Sequence, residues 1–241
     1  MKRDVQGIVL LLLGVMVARL AIGGQFVFYV AEVMKPWLII SAAILFMLGV
    51  MAILDSWRES RQEPGGSTSS DDEPSHSGHS HGPRIAYLLL APVLAVYLIA
   101  PSALGSYTAG RQDAVVLPPS EEVVAPLAAG SPVELPVRDY VIRAVWDAGR
   151  SLMGREVQMT GFVTPDPDGG WWLSRMAMGC CAADAQAALV KVDDAPDLPA
   201  DTWVTVTGTW KPGGGVQDPQ AVPLLQVDEL VEVAQPRNPY E

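Results

Sequence analysis

The chain has 241 residues, 49% of them hydrophobic, with 16 basic and 27 acidic side chains and a net charge of −11. This composition excludes a disordered, collagen-like or disulfide-scaffold protein. Residues 1–110 have a net charge of −1 (7 basic, 8 acidic) and residues 111–241 have −10 (9 basic, 19 acidic), so an apolar half is joined to an acidic half that repels a phosphate backbone, and no nucleic-acid partner is expected.

Residues 1–57 contain two predicted transmembrane helices. Residues 5–22 form an apolar run that only Gln6 and Arg19 interrupt, and as a helix this run is about 27 Å long, close to a bilayer core. Residues 36–54 form a second, uncharged run. A cleaved signal peptide is the alternative for the first run, but no Ala-x-Ala pattern follows it. We expect Arg19 to snorkel to the interface; the alternative is a polar role inside a helix bundle.

A polar linker separates these helices from a third predicted span. Residues 58–84 lack apolar periodicity and are rich in Ser, Gly, Pro and acidic residues, which is typical of a flexible linker. Residues 85–110 contain a third predicted transmembrane helix, over 85–104. Basic residues flank the N-terminus and the linker, so both are predicted to be cytoplasmic in a bacterial inner membrane. Three crossings of the lipid bilayer then place the C-terminal domain outside the cytoplasm.

The remainder is predicted to be a small all-β barrel preceded by one short helix. Residues 111–138 are Pro-rich and extended, and Asp139 is predicted to be the N-cap of a helix that reaches about Leu152. Five β-rich segments follow at 156–164, 171–178, 187–192, 202–210 and 224–233. Five short strands favour an oligonucleotide/oligosaccharide-binding (OB) type of barrel over an SH3-like one, and residues 139–241 form this acidic OB-like domain. The usual OB helix between strands three and four is expected to be absent or reduced to a turn, because residues 193–201 contain two prolines.

The most informative cluster is the pair Cys180 and Cys181, followed by Asp184. A turn or bulge after Gly179 could aim both sulfurs the same way, which a regular strand forbids. One interpretation is a site for zinc or another transition metal, with Asp184 as a third ligand and the remaining ligand from elsewhere. A second is a strained, easily reduced disulfide. A third is structural, with two buried thiols in the barrel wall and Asp184 capping a turn.

Other candidate sites are weaker. His76, His79 and His81 in the linker could coordinate a transition metal, although a low-complexity spacer is favoured. The tryptophans of the domain could form a stacking platform, although core packing is favoured; they are Trp171, Trp172, Trp203 and Trp210. No nucleophile with a base and no phosphate-binding loop is recognisable, so we expect a non-enzymatic protein with no catalytic residue and no organic cofactor.

Several short segments, spread over nearly the whole chain, form a recognisable set. They are Ala18-Arg19-Leu20, the His-containing linker, residues 103–107, Gly161-Phe162-Val163, Arg175, Cys180-Cys181-Ala182-Ala183-Asp184 and Asn238-Pro239-Tyr240. In these segments the chain resembles the YcgQ-like family of bacterial permease subunits, and the Cys-Cys-x-Ala-Asp element is the most specific of them. The resemblance implies a multi-pass inner-membrane protein that works beside a separate, larger permease-type protein. It implies no substrate and no catalytic residue.

These observations lead to three hypotheses about function. The first is an accessory subunit of a membrane transport complex, with a metal or other cation as the substrate best matched to the acidic domain. In that hypothesis small residues such as Gly7, Gly14 and Ala18 allow close approach to the permease. The second is a membrane-anchored thiol or metal module that acts through Cys180 and Cys181. The third is an extracytoplasmic OB-type module for a glycan or oligonucleotide.

Overall fold

The computed structural model describes residues 3–61, 103–112, 126–215 and 217–241. The chain divides into two compact units. One comprises Met1–Phe26 and Glu32–Ser102, and the other comprises Val27–Ala31 and Ala103–Glu241. The short segment Val27–Ala31, which we call the strap, therefore belongs to the C-terminal unit although it lies between two N-terminal helices.

The N-terminal unit is built on a hairpin of two long apolar helices, α1 (Arg3–Gly23) and α2 (Lys35–Arg61). Their close packing depends on glycine. A Cβ atom at Gly14 would lie 2.9 Å from the backbone N of Phe46, and one at Gly49 would lie 2.8 Å from the backbone N of Leu11. A Cβ at Gly7 would likewise meet α2, at 3.1 Å from the carbonyl oxygen of Gly49. Gly7 and Gly14 thus pack within this chain, where the sequence led us to expect a contact with a permease.

Within the described ranges, two helices are long and apolar enough to cross a membrane, over Gln6–Gly23 and Glu32–Arg58, where the sequence predicts three. The predicted linker boundary at residue 58 is wrong by four residues, because α2 continues to Arg61. The rest of the linker, including His76, His79 and His81, and the predicted third span up to residue 102 lie outside the described residues.

The C-terminal unit is a closed barrel of five strands, as predicted. Its strands are β2 (Glu156–Pro165), β3 (Trp171–Ala177), β4 (Gln186–Asp193), β5 (Trp203–Lys211) and β6 (Leu224–Glu232). The sheet order is β2-β3-β4-β6-β5, and β5 pairs back onto β2 to close the barrel. Only the β4–β6 pair is parallel among these contacts. This closed, five-stranded arrangement is OB-like.

The barrel has one strand that was not predicted and lacks a helix that was expected to be absent. A two-residue strand, β1 (Val133–Glu134), lies parallel to the start of β2 within the segment predicted to be extended. The absent OB helix is confirmed, since residues 194–202, all of which the structure describes, contain only turns and irregular backbone between β4 and β5.

Among the residues that the structure describes, two short α-helices precede the barrel: α3 (Ser106–Ala109) and α4 (Val137–Trp146). Helix α4 buries an apolar face in the barrel core, where the Tyr140 hydroxyl donates to the carbonyl oxygen of Leu224 at 2.6 Å. The prediction that Asp139 caps this helix is wrong. The helix begins at Val137, and the Glu241 carboxylate accepts hydrogen bonds from the backbone N–H groups of Val137 and Arg138 at 2.9 and 3.0 Å. The helix also ends before Leu152, which lies in a separate 3₁₀ turn.

Near the connection between β3 and β4, the strands of the barrel are buried on both faces. Successive side chains of a strand point to opposite faces, and here Val163 belongs to the inner core whereas Phe162 belongs to a second, outer apolar cluster. The other members of this outer cluster are Ala109, Met176, Ala185, Ala187, Leu189 and Tyr240. Because α3 and the C-terminal segment cover this face, the barrel includes parts of the chain far outside its five strands.

Candidate functional site

The cysteine pair lies in the connection between β3 and β4. After β3 ends at Ala177, the chain turns through Gly179 and Cys180, and a 3₁₀ turn over Ala182–Asp184 leads back to β4. Cys180 is exposed and Cys181 is half-buried, and both are free thiols. The interpretation of two buried thiols in the barrel wall is therefore wrong, because the pair lies in a connection at the surface rather than in a strand.

Asp184 organises this connection. One carboxylate oxygen accepts the backbone N–H of Gly179 at 3.0 Å, and the other accepts those of Cys180 at 2.8 Å and Cys181 at 3.4 Å. In return the Cys181 side chain accepts from the backbone N–H of Asp184, which completes a capping box around the short helix. The predicted turn-capping role of Asp184 is thus confirmed, and this capping holds its carboxylate beside both thiols.

The three side chains form a compact donor set. The two Sγ atoms are 3.7 Å apart, and one ligand atom from each of Cys180, Cys181 and Asp184 lies within 4.8 Å of the others. Both sulfurs therefore face one point, as a turn after Gly179 predicts. A disulfide needs an S–S distance of about 2.05 Å, whereas a tetrahedral zinc ion with Zn–S bonds of about 2.3 Å holds two sulfurs about 3.8 Å apart. At the observed spacing the Cys180 thiol donates a hydrogen bond to the Cys181 sulfur; this distance is too long for a disulfide and close to that of a metal dithiolate.

A hydrogen bond with the Asp184 carboxylate has the largest effect on the pKa of the Cys180 thiol. Asp184, followed by the hydrogen bond with Cys181, raises the pKa of Cys180 to about 12. The same contact with Cys180, together with the backbone N–H groups, lowers the pKa of Asp184. Cys180 is therefore a protonated thiol at neutral pH, which makes it a poor nucleophile for thiol–disulfide exchange.

The strap is the element of this site that the sequence did not indicate. Val30 forms an antiparallel bridge with Cys181. The backbone N–H of Ala31 donates to the Cys180 carbonyl at 3.0 Å, and that of Ala182 donates to the Tyr29 carbonyl at 2.8 Å. These contacts bracket Cys181 and fix its backbone. No local pattern marks the strap, because its partner residues are about 150 positions away in the sequence.

The C-terminal segment supports the same connection from the other side. Met178, which ends the path out of β3, donates its backbone N–H to the Glu241 carbonyl at 2.9 Å. The buried Arg175 guanidinium donates to the Asn238 carbonyl at 3.0 Å and lies 4.8 Å from the ring centre of Trp203. Burial lowers the pKa of Arg175, against the opposing effect of Glu241.

One hydroxyl joins three distant parts of the chain. Tyr240 donates its hydroxyl to the Phe28 carbonyl of the strap at 3.2 Å and accepts the backbone N–H of Leu104 at 3.1 Å. Two of the segments that carry the family resemblance, residues 103–107 and Asn238-Pro239-Tyr240, thus meet the strap behind the cysteine connection. The Asn-Pro-Tyr motif was the available sequence signal for Tyr240, but it gave no indication of these partners.

The remaining sequence candidates do not enter the site. Arg19 is exposed on α1, in the other unit, and the three histidines lie outside the described residues. Trp171 is buried in the inner core and Trp210 packs against it, while Trp172 and Trp203 pack against the outer cluster. All four tryptophans thus pack against the two core clusters, as favoured, with Trp171 buried and the other three partly exposed.

Fold and site together define a class: a protein with an apolar helical hairpin and an OB-like barrel whose β3–β4 connection presents an exposed vicinal dithiol. Residues 5–114 match the DUF1980 N-terminal domain, and residues 134–241 match the DUF1980 C-terminal domain. The chain carries both domains of the DUF1980 family and belongs to it, which is consistent with the resemblance to YcgQ-like proteins. No curated protein and no solved structure matches the chain.

Proposed function

We propose that this protein is a membrane-anchored, non-enzymatic subunit that binds a thiophilic divalent cation, such as Zn²⁺, through Cys180, Cys181 and Asp184 outside the cytoplasm. The observation that carries the proposal is the spacing of the donor atoms. Two sulfurs at 3.7 Å and a carboxylate already held beside them by three backbone N–H groups need little rearrangement to close around a tetrahedral ion.

The surrounding charge favours a cation. The C-terminal half has a net charge of −10, from 9 basic and 19 acidic residues, and such a field raises the local concentration of cations within a Debye length of about 8 Å. The field equally disfavours the third hypothesis, an oligonucleotide ligand, because it repels phosphate. Packing of the tryptophans against the core clusters also argues against a free aromatic face on which a glycan or base would stack.

The apolar hairpin supports the membrane anchor. Large apolar side chains are exposed along both helices, including Leu12, Val15, Ile44 and Met47. Water disfavours such a surface, whereas lipid accommodates it. The helices contain about 21 and 27 residues, enough to cross a hydrocarbon core of about 30 Å at 1.5 Å per residue.

The strap supports the topology. It follows α1 in the sequence, and Lys2 and Arg3 favour a cytoplasmic start for that helix. The strap also pairs with Cys181, which supports a position of strap and barrel on the same side of the bilayer, outside the cytoplasm in the proposed orientation. In this proposal helix α2 returns the chain to the cytoplasm, and the third span predicted from the sequence carries it back out to the barrel. The apolar run at 85–104 is the segment suited to that crossing.

The partner of such a subunit is proposed to be a larger permease-type membrane protein that carries the cation. This step rests on the family resemblance and on the acidic field, which would concentrate cations near an outer mouth. Affinity purification of the full chain after cross-linking in membranes tests it. Recovery of a many-span membrane protein is expected, and its consistent absence from the cross-linked material would contradict the subunit role.

Metal binding is tested on the full-length protein in detergent, by titration with Zn²⁺ and with Co²⁺, whose absorption reports thiolate coordination. We expect one ion per chain in the wild type and its loss in Cys180→Ser, Cys181→Ser and Asp184→Asn. Asp197→Asn, which changes an exposed carboxylate in the β4–β5 loop, is the matched control. A variant with His76, His79 and His81 replaced by Ala separates the linker from the dithiol. Equal binding by the wild type and the double Cys→Ser variant would refute the proposal.

Topology is tested with an engineered thiol, because Cys180 and Cys181 are the only cysteines of the chain and can both be replaced by Ser. In that background a membrane-impermeant maleimide should label Asp197→Cys, at an exposed position of the barrel, in intact spheroplasts. Labelling only after lysis would place the barrel in the cytoplasm and overturn the proposed orientation.

A further inference from the structure

The dithiol site is short of donors for a closed metal centre. Two sulfurs and one carboxylate come together in the described part of the chain. The whole sequence contains no other cysteine, and its three histidines are confined to residues 76–81. Structural zinc sites have four protein ligands, whereas sites with three protein ligands keep one coordination position for an exchangeable ligand.

The structure leaves this position accessible. The strap pairs with the backbone at Cys181, which is half-buried, while Cys180 and Asp184 are both exposed. A ligand can therefore approach from the side of Cys180 and Asp184 without displacing the strap.

Charge decides which kind of ligand fits. Both thiols must release their protons to bind a metal ion; the resulting two thiolates and the carboxylate carry three negative charges, so a bound divalent ion leaves the site with a net charge of −1. A further thiolate or carboxylate would raise this to −2 within a half-chain that already carries −10, and like charges at close range repel one another. A neutral imidazole adds a strong nitrogen donor without adding charge.

Resting on the metal binding proposed above, we infer that the bound cation takes its fourth ligand from a histidine imidazole of a second, different protein and is passed on by ligand exchange at that position. The incoming imidazole nitrogen forms a bond to the metal with its lone pair, and one bond to Asp184 or a sulfur then breaks with its electron pair left on that atom. No electron is transferred and no oxidant is needed. The site is thus suited to handing the ion on rather than to holding it permanently.

The experiment uses the full-length protein loaded with one Co²⁺ and titrated with imidazole. We expect a saturable shift of the cobalt d–d bands while the thiolate-to-cobalt charge-transfer bands persist, which together report a ternary complex. A second measurement follows transfer of Zn²⁺ to a chelator under excess chelator. With an open position the transfer rate should rise in proportion to chelator concentration, because the chelator attacks the bound ion.

Failure of this inference is distinguishable from failure of metal binding. If no Co²⁺ binds, the proposed function itself is refuted. If Co²⁺ binds but imidazole leaves the spectrum unchanged and transfer is independent of chelator concentration, the site is closed and the inference is overturned. Two further results would also overturn it. One is a response to imidazole only in the variant lacking His76, His79 and His81, and the other is a metal-bridged dimer with one ion per two chains.

Discussion

The hydroxyl of Tyr240 is predicted to hold the strap in place. Tyr240→Phe keeps the ring, which is only 5% exposed, but removes a hydrogen bond donated to Phe28 and one accepted from Leu104. Each hydrogen bond contributes about 0.5–1.5 kcal/mol, so the pair contributes about 1–3 kcal/mol to closure of this region.

Native-state hydrogen exchange measures this loss directly. The backbone N–H of Ala31, which is bonded to Cys180, should exchange about 5- to 150-fold faster in Tyr240→Phe, the factor that corresponds to about 1–3 kcal/mol of local opening. The Tyr107→Phe variant is the control, since Tyr107 is 73% exposed and stacks on Arg111 through its ring. Unchanged exchange at Ala31, or an equal acceleration in the control, would refute the role of the hydroxyl.

Three further changes test other contacts. Gly49→Ala should loosen the α1–α2 hairpin, because the added Cβ would lie 2.8 Å from the backbone of α1. Gly23→Ala, with open space around it, should have no such effect. Cross-linking between engineered cysteines, in a background without the native pair, measures the difference. Ala182→Pro removes a donor to the strap at the first position of a short helix, where proline is tolerated, and should weaken Co²⁺ affinity up to about 10-fold; unchanged affinity would show that the strap does not position the dithiol. Asp166→Asn should cost about 1 kcal/mol at neutral pH, a value reduced for the partly exposed Lys191 with which Asp166 pairs at 2.8 Å.

The pH dependence of the last variant has a definite sign. Burial alone would raise the pKa of Asp166. The hydrogen bonds from Lys191 and from the backbone N–H of Asp168 lower the pKa by more than burial raises it, so the net pKa lies below its usual value. A carboxyl group whose pKa is lowered in the folded state stabilises the fold at pH values above its unfolded-state pKa. This contribution is lost as the pH falls through the folded-state pKa. The stability difference between Asp166→Asn and the wild type, followed by thermal unfolding, should therefore shrink below about pH 4. A difference that grows on acidification would contradict the ion pair.

Local patterns in the sequence were sufficient to predict the barrel strands. The segment predicted at 202–210 is observed as Trp203–Lys211, because alternation and flanking turn residues are properties of neighbouring residues. The turn after Gly179 was predicted for the same reason, and with it the common direction of the two sulfurs. In these parts of the chain, local chemistry and tertiary structure agree.

Contacts between distant residues escaped prediction. Asp139 was a reasonable helix cap by residue type, but the carboxylate that accepts the N-terminal N–H groups of α4 belongs to Glu241, about 100 positions away. The strap likewise contacts Cys180–Ala182 through its backbone, which leaves no mark in residue type. Exposure of the cysteines also required the tertiary structure, because two small apolar side chains fit a barrel wall as well as a surface loop.

The membership of Val27–Ala31 in the C-terminal unit has a practical consequence for work on fragments. A fragment that begins at residue 134, where the C-terminal family domain begins, would lack both hydrogen-bond partners of the Tyr240 hydroxyl, the Phe28 carbonyl and the Leu104 N–H. It would also lack the Ala31 N–H that donates to the Cys180 carbonyl. Such a fragment would present a dithiol with an altered backbone. A synthetic peptide covering residues 25–35, added in trans, offers a way to restore the missing edge in studies that dispense with detergent.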